Sequence, residues 1–281
     1  MATTVIPTFD TLLANASAWV DFQIKPLLAC FPSIIPDSKT FCWDILNIRI
    51  PAGKEIWLIS GDVVAMYPNI PIEDGIIQIA TILAYEIWHF WRSSWIRYQF
   101  IGSAGSAVPP LSCSQKELCV FWWVNLLPDS GDCYGNCCCT TYANLFFAGY
   151  EVSALKEFKI ALLYYGHFID VTFAIIQGDL DTVLSFQKRF GELHPNMKME
   201  WTQSKFQLPF LDVHVSLEVD SSVLSWSTLV QVVTHVYQKA LNSYLYIPWI
   251  SYHSDASKHA WVKGKLIRYV RLSSKVETLR R

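Results

Sequence analysis

An α+β fold built on a split β-α-β-β-α-β sheet is what the sequence predicts, and three observations carry the prediction. Residues 55–64 form a short apolar run bounded by Gly53 and Pro68, which reads as a buried strand with Asp62 at its C-terminal end. Residues 162–176 form two apolar arms around Asp170, which reads as a hairpin with the carboxylate at its tip. Helical spacing fills the stretch between them and recurs over 180–193, before two further strand-like runs at 197–203 and 210–219. Strand, helices, hairpin, helix, strand is the order of the split arrangement in which the first strand end lies beside the hairpin. Such a sheet brings Asp62 and Asp170 close together.

The remaining elements follow in order. Residues 1–50 alternate between helical and irregular character, punctuated by Pro26, Pro32 and Pro36. Pro71-Ile72-Glu73-Asp74 opens a helix running toward Trp91, its acidic pair in the first turn where the helix dipole favours negative charge. Residues 102–110 are small and proline-containing and read as a loop, whereas Ser114-Gln115-Lys116-Glu117 has capping-box form ahead of an aromatic helix over 118–127. A turn at 128–131 and a helix over 140–158 lead to the hairpin.

Composition limits the function classes. The 281 residues are 52% hydrophobic, ample for a buried core, and only 16% charged, low against the ~25% usual for soluble domains. The apolar runs at 118–127 and 161–176 are too short to span a bilayer or carry His167 and Asp170 near the middle, since a spanning helix needs about 20 apolar residues. A membrane-associated chain with aromatic interface helices is therefore the weakest reading. Residues 1–10 lack a basic start followed by an apolar run, so no signal peptide is expected, and the expected address is intracellular, nuclear or cytoplasmic. Four of eight cysteines crowd into Cys133, Cys137, Cys138 and Cys139 with no histidine partner at zinc-site spacing, so free buried thiols are expected.

Charge is uneven. The net value is −2, yet residues 256–281 contribute +7 through Lys258, Lys263, Lys265, Arg268, Arg271, Lys275, Arg280 and Arg281 against Glu277, leaving −9 elsewhere. A basic C-terminal helix attached to an acidic body reads either as a solvated helix face or as a phosphate-contacting element, because cations that neutralise phosphates release counterions.

Motifs then narrow the reading. Asp62-Val63-Val64-Ala65-Met66-Tyr67-Pro68-Asn69-Ile70-Pro71, the stretch 131–151 with Gly131, Gly135 and Tyr142-Ala143-Asn144-Leu145-Phe146, Phe168-Ile169-Asp170-Val171, Phe210-Leu211-Asp212-Val213 and residues 234–253 occur in one order. Together with residues 16–41 they resemble the reverse-transcriptase domain of Penelope-like retroelements over most of the chain. The resemblance implies a palm with partial fingers (1–50), the palm proper (51–225) and a helical thumb-like basic segment (226–281). It implies RNA-directed DNA synthesis by two-metal nucleotidyl transfer, with Asp62 and Asp170 as catalytic carboxylates and ligands to Mg²⁺ or Mn²⁺. Tyr67, Gly135 and Asn144 match substrate-facing positions, Tyr67 being the bulky residue packed under the incoming sugar. Lys258, Lys263, Lys265, Arg268 and Arg271 are the nucleic-acid-binding set. RNA template, DNA primer and deoxynucleoside triphosphates are the implied partners, and no membrane is expected.

Departures from the family pattern qualify that activity. Val171 replaces the second hairpin aspartate and is expected to set a β-branched side chain at a tight turn. Tyr134 stands where the family usually has Met, Thr140 where it has Pro, and the run 125–131 is shorter. The upstream fingers segments are expected before residue 16, and the first fifteen residues hold no Lys or Arg. No endonuclease of the kind many such elements append is expected. The sequence is thus read as a truncated, decaying copy with weakened or lost activity, the alternative being a non-catalytic nucleic-acid-binding relic on the same scaffold.

Overall fold

The computed structural model describes residues 12–51, 53–71, 73–84, 138–219, 230–239 and 246–275. The helix expected over 118–127, the loop over 102–110, the run 125–131, Tyr134 and Gly135 lie outside them. The helices are α1 (Leu12–Ile24), α2 (Ser38–Leu46), α3 (Met66–Asn69), α4 (73–84), α5 (Cys139–Glu157), α6 (Leu180–Gly191) and α7 (Asp255–Leu272). The strands are β1 (Ile56–Val63), β2 (Leu162–Phe168), β3 (Val171–Gln177), β4 (Met199–Ser204), β5 (Gln207–Phe210), β6 (Val213–Val219) and β7 (Val230–Val236). No helix among the described residues is long and apolar enough to cross a membrane.

Two compact units share the chain. One draws on Ile35–Asp62, Phe158–Gln187 and Trp201–Arg281, the other on Met1–Ile34, Val63–Glu157 and Lys188–Glu200.

The first unit carries the sheets. A four-stranded sheet has the order β2-β3-β1-β4, the order of the split β-α-β-β-α-β arrangement, and a three-stranded sheet has the order β5-β6-β7. β3 is central and buried from Thr172 to Ile176, which explains its near-continuous apolar sequence. Alternation along the strands sends Phe173 and Ile175 into a core with Leu58, Phe41 and Ile45 of α2, Phe210 and Val215. The rings of Phe41, Phe173 and Phe210 form a triangle with centroid separations of 5.0, 4.7 and 5.1 Å, and such pairs contribute about 0.5–1.5 kcal/mol each beyond area burial. Side chains of the opposite parity meet α6 instead, Tyr165 and Trp201 standing edge-on to Phe186 at 6.4 and 6.0 Å.

Two local devices fix these pieces. Asp37 caps α2, its Oδ1 accepting the Thr40 N–H at 2.7 Å, and this hydrogen bond holds the carboxyl below its usual range. At the end of α7, Ser274 N–H donates to the Thr234 carbonyl at 2.9 Å and Thr234 N–H donates to Ser274 Oγ at 2.9 Å, while Leu272 enters the core.

The described residues of the second unit are mainly helical. Residues 141–148 of α5 are buried in succession, the pattern of a helix enclosed on all sides. Two of its buried polar groups reach partners: Thr141 Oγ1 donates to Asp21 at 2.5 Å, and the fully buried Glu151 accepts from Ser33 at 2.5 Å. His194 takes the Asn196 N–H on Nδ1 at 3.2 Å, so Nε2 carries the proton toward Asp74 at 3.1 Å, and the Phe146 and Tyr150 rings pack edge-on against it. Cys138 and Cys139 are buried and not disulfide-bonded.

Two expectations need amending. Residues 210–219 are not one strand, because β5 ends at Phe210, β6 begins at Val213 and Phe210 pairs with Val213 across a turn at Leu211-Asp212. β7 is an additional strand, paired with β6 in register from Val213↔Val236 to Val219↔Val230.

Candidate active site

The hairpin sets the geometry. Phe168 pairs with Val171, so the β2-β3 loop is Ile169-Asp170, and the adjoining β1-β3 ladder runs from Ile56↔Gln177 to Asp62↔Val171. Asp62 is the last paired residue of that ladder in the unit, with its cross-strand partner immediately following Asp170. The two candidate residues therefore lie at the same end of the sheet, Asp62 exposed and Asp170 half-buried.

Val171 is not in the turn. It opens β3, where a β-branched residue is favoured, and packs half-buried against the core. The β-branched residue under strain is Ile169, at φ 56° in the left-handed region. Leu211 takes φ 51° in the second hairpin, so Phe168-Ile169-Asp170-Val171 and Phe210-Leu211-Asp212-Val213 are two turns of one design. Each holds an apolar residue in a conformation costing about 1–2 kcal/mol and an aspartate next to it.

Close packing behind Asp62 explains Gly61. A Cβ there would lie 2.5 Å from the Trp201 ring and 2.8 Å from Thr172 Oγ1, whose hydroxyl donates to the Gly61 carbonyl at 3.3 Å. Beside the hairpin, Phe168, Val171, Leu211, Asp212, Tyr237 and Lys239 line a cavity of about 550 Å³.

Donor chemistry bears on metal binding. Among the described residues no group of three or more His, Cys, Asp or Glu side chains converges on a metal position. Asp62 and Asp170 are hard oxygen donors, and Mg²⁺ bound through one or two carboxylates completes its shell with water and substrate phosphates. In donor type alone the two carboxylates suit such an ion. Val171 supplies no donor for a fuller set.

The substrate-facing candidates belong to the other unit. Tyr67 lies in α3, half-buried, just after Ala65 turns the chain at φ 49°. Asn144 is buried and its Nδ2 donates to the Thr140 carbonyl at 2.8 Å, a contact within its own helix.

The basic set is heterogeneous. Lys258 is buried, its Nζ 3.6 Å from Asp255 and 5.7 Å from the centre of the Trp249 ring. Lys265 lies 5.6 Å from the Tyr246 ring centre, and Arg268 pairs with Asp212 at 2.8 Å. Lys263 and Arg271 are exposed. The pairing of Asp212 with Arg268 is not legible in the sequence, where the repeated Phe-x-Asp-Val pattern is the available signal.

Comparison with known proteins places this fold. No protein-family model matches the chain, and no curated protein sequence is significantly similar to it. Among solved structures it is similar to the apo telomerase of Candida tropicalis, with a TM-score of 0.51, 11% identity and 73% of this chain covered. A C-terminally truncated form of that telomerase gives 0.49 with 11% identity over 74% of this chain, and Candida albicans telomerase with a TWJ fragment of telomeric RNA gives 0.49 with 9% identity over 73%. The chain spans 45, 39 and 37% of those three proteins in the order truncated, apo and RNA-bound. The α+β fold of this chain is thus similar to that of the matched part of the apo telomerase, a likeness of fold alone.

Proposed function

We propose that the chain is a reverse-transcriptase palm of Penelope-like type from a retroelement, with nucleotidyl transfer weakened by Val171. One observation carries the reading: Asp62 pairs in register with Val171, the residue after Asp170, at the end of a sheet with the split β-α-β-β-α-β strand order. Asp62 and Asp170 would hold Mg²⁺ or Mn²⁺. When bound, such an ion lowers the pKa of an attacking hydroxyl and offsets charge on transferring phosphate oxygens. At the sheet end the two carboxylates would position that ion, and Tyr67 and Asn144 would contact the incoming deoxynucleoside triphosphate. RNA template and DNA primer are the macromolecular partners, and an intracellular address, nuclear or cytoplasmic, accompanies this activity.

A second reading has its own support. Val171 packs on the core where the family pattern has a carboxylate, which favours a scaffold that binds nucleic acid without extending it. Primer extension on an RNA template with Mg²⁺ or Mn²⁺ separates the two. Extension by the full chain that disappears in Asp62→Ala supports the polymerase; binding without extension, unchanged in Val171→Asp, supports the scaffold.

A further inference from the structure

The cavity between the β5-β6 turn and α7 has a chemistry that the proposed activity leaves unused. It encloses about 320 Å³, and its walls include Asp212, Tyr237, Lys239, Lys265, Arg268 and Tyr269. Three cations therefore face one carboxylate. Asp212 Oδ1 sits 2.8 Å from Arg268 Nη2 and occupies one position of the guanidinium fork. The fork is under-used: Arg268 Nε is buried and has no hydrogen-bond partner among the described residues. A buried N–H left without an acceptor is costly, and a native protein rarely retains one without a reason.

The ion pair itself is weak. Its side chains are 37% and 54% exposed, so water screens their attraction and an incoming anion can displace the carboxylate. A phosphate group matches this guanidinium fork in chemistry. It offers oxygens to both the Nη2–H and the orphan Nε–H in bidentate fashion, and Lys239 and Lys265 add charge from the same walls. We propose that this cavity is a phosphate-binding pocket whose arginine is occupied by Asp212, an internal anion, until a phosphate displaces it. Asp212 is thereby a built-in competitor that lowers the affinity of α7 for phosphates. The two-residue turn that presents it, with Leu211 at φ 51°, holds the carboxylate in place without help from a flexible segment.

The pocket needs no catalytic carboxylate, so its test is separable from that of the proposed polymerase. The full chain, Asp212→Asn, Arg268→Lys and the Asp212→Asn/Arg268→Lys double variant are titrated with inorganic pyrophosphate and, separately, with a fluorescent single-stranded oligonucleotide over a range of salt. Asp212→Asn is expected to tighten pyrophosphate binding about fivefold, the upper range of an exposed ion pair. Arg268→Lys keeps the charge but loses the fork, and is expected to abolish most of that gain in the double variant. If oligonucleotide affinity also rises in Asp212→Asn, with the slope against log salt steeper by about one, the phosphate is that of a polynucleotide. A gain confined to pyrophosphate assigns the pocket to free phosphates. No gain with either probe in Asp212→Asn, or a gain undiminished in the double variant, overturns the proposal. A pyrophosphate gain in a chain that extends no primer leaves the pocket standing while the polymerase reading falls.

Discussion

Asp62 stands directly across the antiparallel ladder from Val171, the residue that follows Asp170. Asp62 shares strand parity with Ile56 and Leu58 of the core, and Val171 shares it with Phe173 and Ile175, so this face passes from Leu58↔Ile175 through Ser60↔Phe173 to a carboxylate-valine pair at its end. A carboxylate introduced at position 171 would face Asp62 at the spacing of a cross-strand neighbour.

That change has a stability cost. Val171→Asp removes a half-buried apolar side chain from the core edge and sets two like charges opposite each other, and a loss of about 1–2 kcal/mol is expected. Urea unfolding measures it, and Mg²⁺ is expected to recover part of the loss in the variant only.

Gly61→Ala tests the packing behind Asp62. The new Cβ would meet the Trp201 ring and Thr172 Oγ1 below 3 Å, so about 1–3 kcal/mol of overpacking is expected, with a matching fall in the urea midpoint. An unchanged midpoint would show that the Trp201 ring can withdraw.

How much of this was legible in the sequence depends on the kind of signal. Apolar runs ending in a carboxylate marked β1 and the β2-β3 hairpin to within a residue or so, because a buried strand must be apolar and its polar end residue stands out. Register was not legible, since a slip of one residue leaves the composition unchanged while reversing every side chain. The turn at Leu211-Asp212 was hidden because residues at positive φ are normally announced by Gly or Asn, and here a leucine takes that role. The basic helix was visible as charge, whereas the partner of Arg268 lies far away in sequence and only the fold brings it near.

Acid sensitivity is expected from the cross-strand pair His214 and His235, stacked at 4.5 Å with Tyr237 nearby. Burial first, and the charge of His235 second, hold His214 below its ordinary value near 6.5. The unfolded chain thus binds a proton that the folded chain refuses, so this contribution is complete above the unfolded value and stability falls as pH drops below it. Thermal unfolding between pH 7.5 and 5.5 should show a smaller loss in His214→Phe than in the parent.

Thiol reactivity should separate two cysteines. Burial pushes the Cys42 thiol up to about 11, so it is un-ionised near neutral pH, whereas Cys30 is exposed. Brief iodoacetamide treatment of the folded chain at pH 8, read by peptide mass spectrometry, should label Cys30 and spare Cys42 until denaturant is added.

Primer extension on an RNA template with Mg²⁺ or Mn²⁺, run in parallel on the parent chain, Asp62→Ala and Val171→Asp, tests the central claim most directly. Weak extension by the parent, reduced about 10²–10³-fold or more in Asp62→Ala, the scale set by loss of one transition-state contact, and increased in Val171→Asp is the predicted result. Extension that survives Asp62→Ala, or silence from all three in chains shown to be folded, would contradict it.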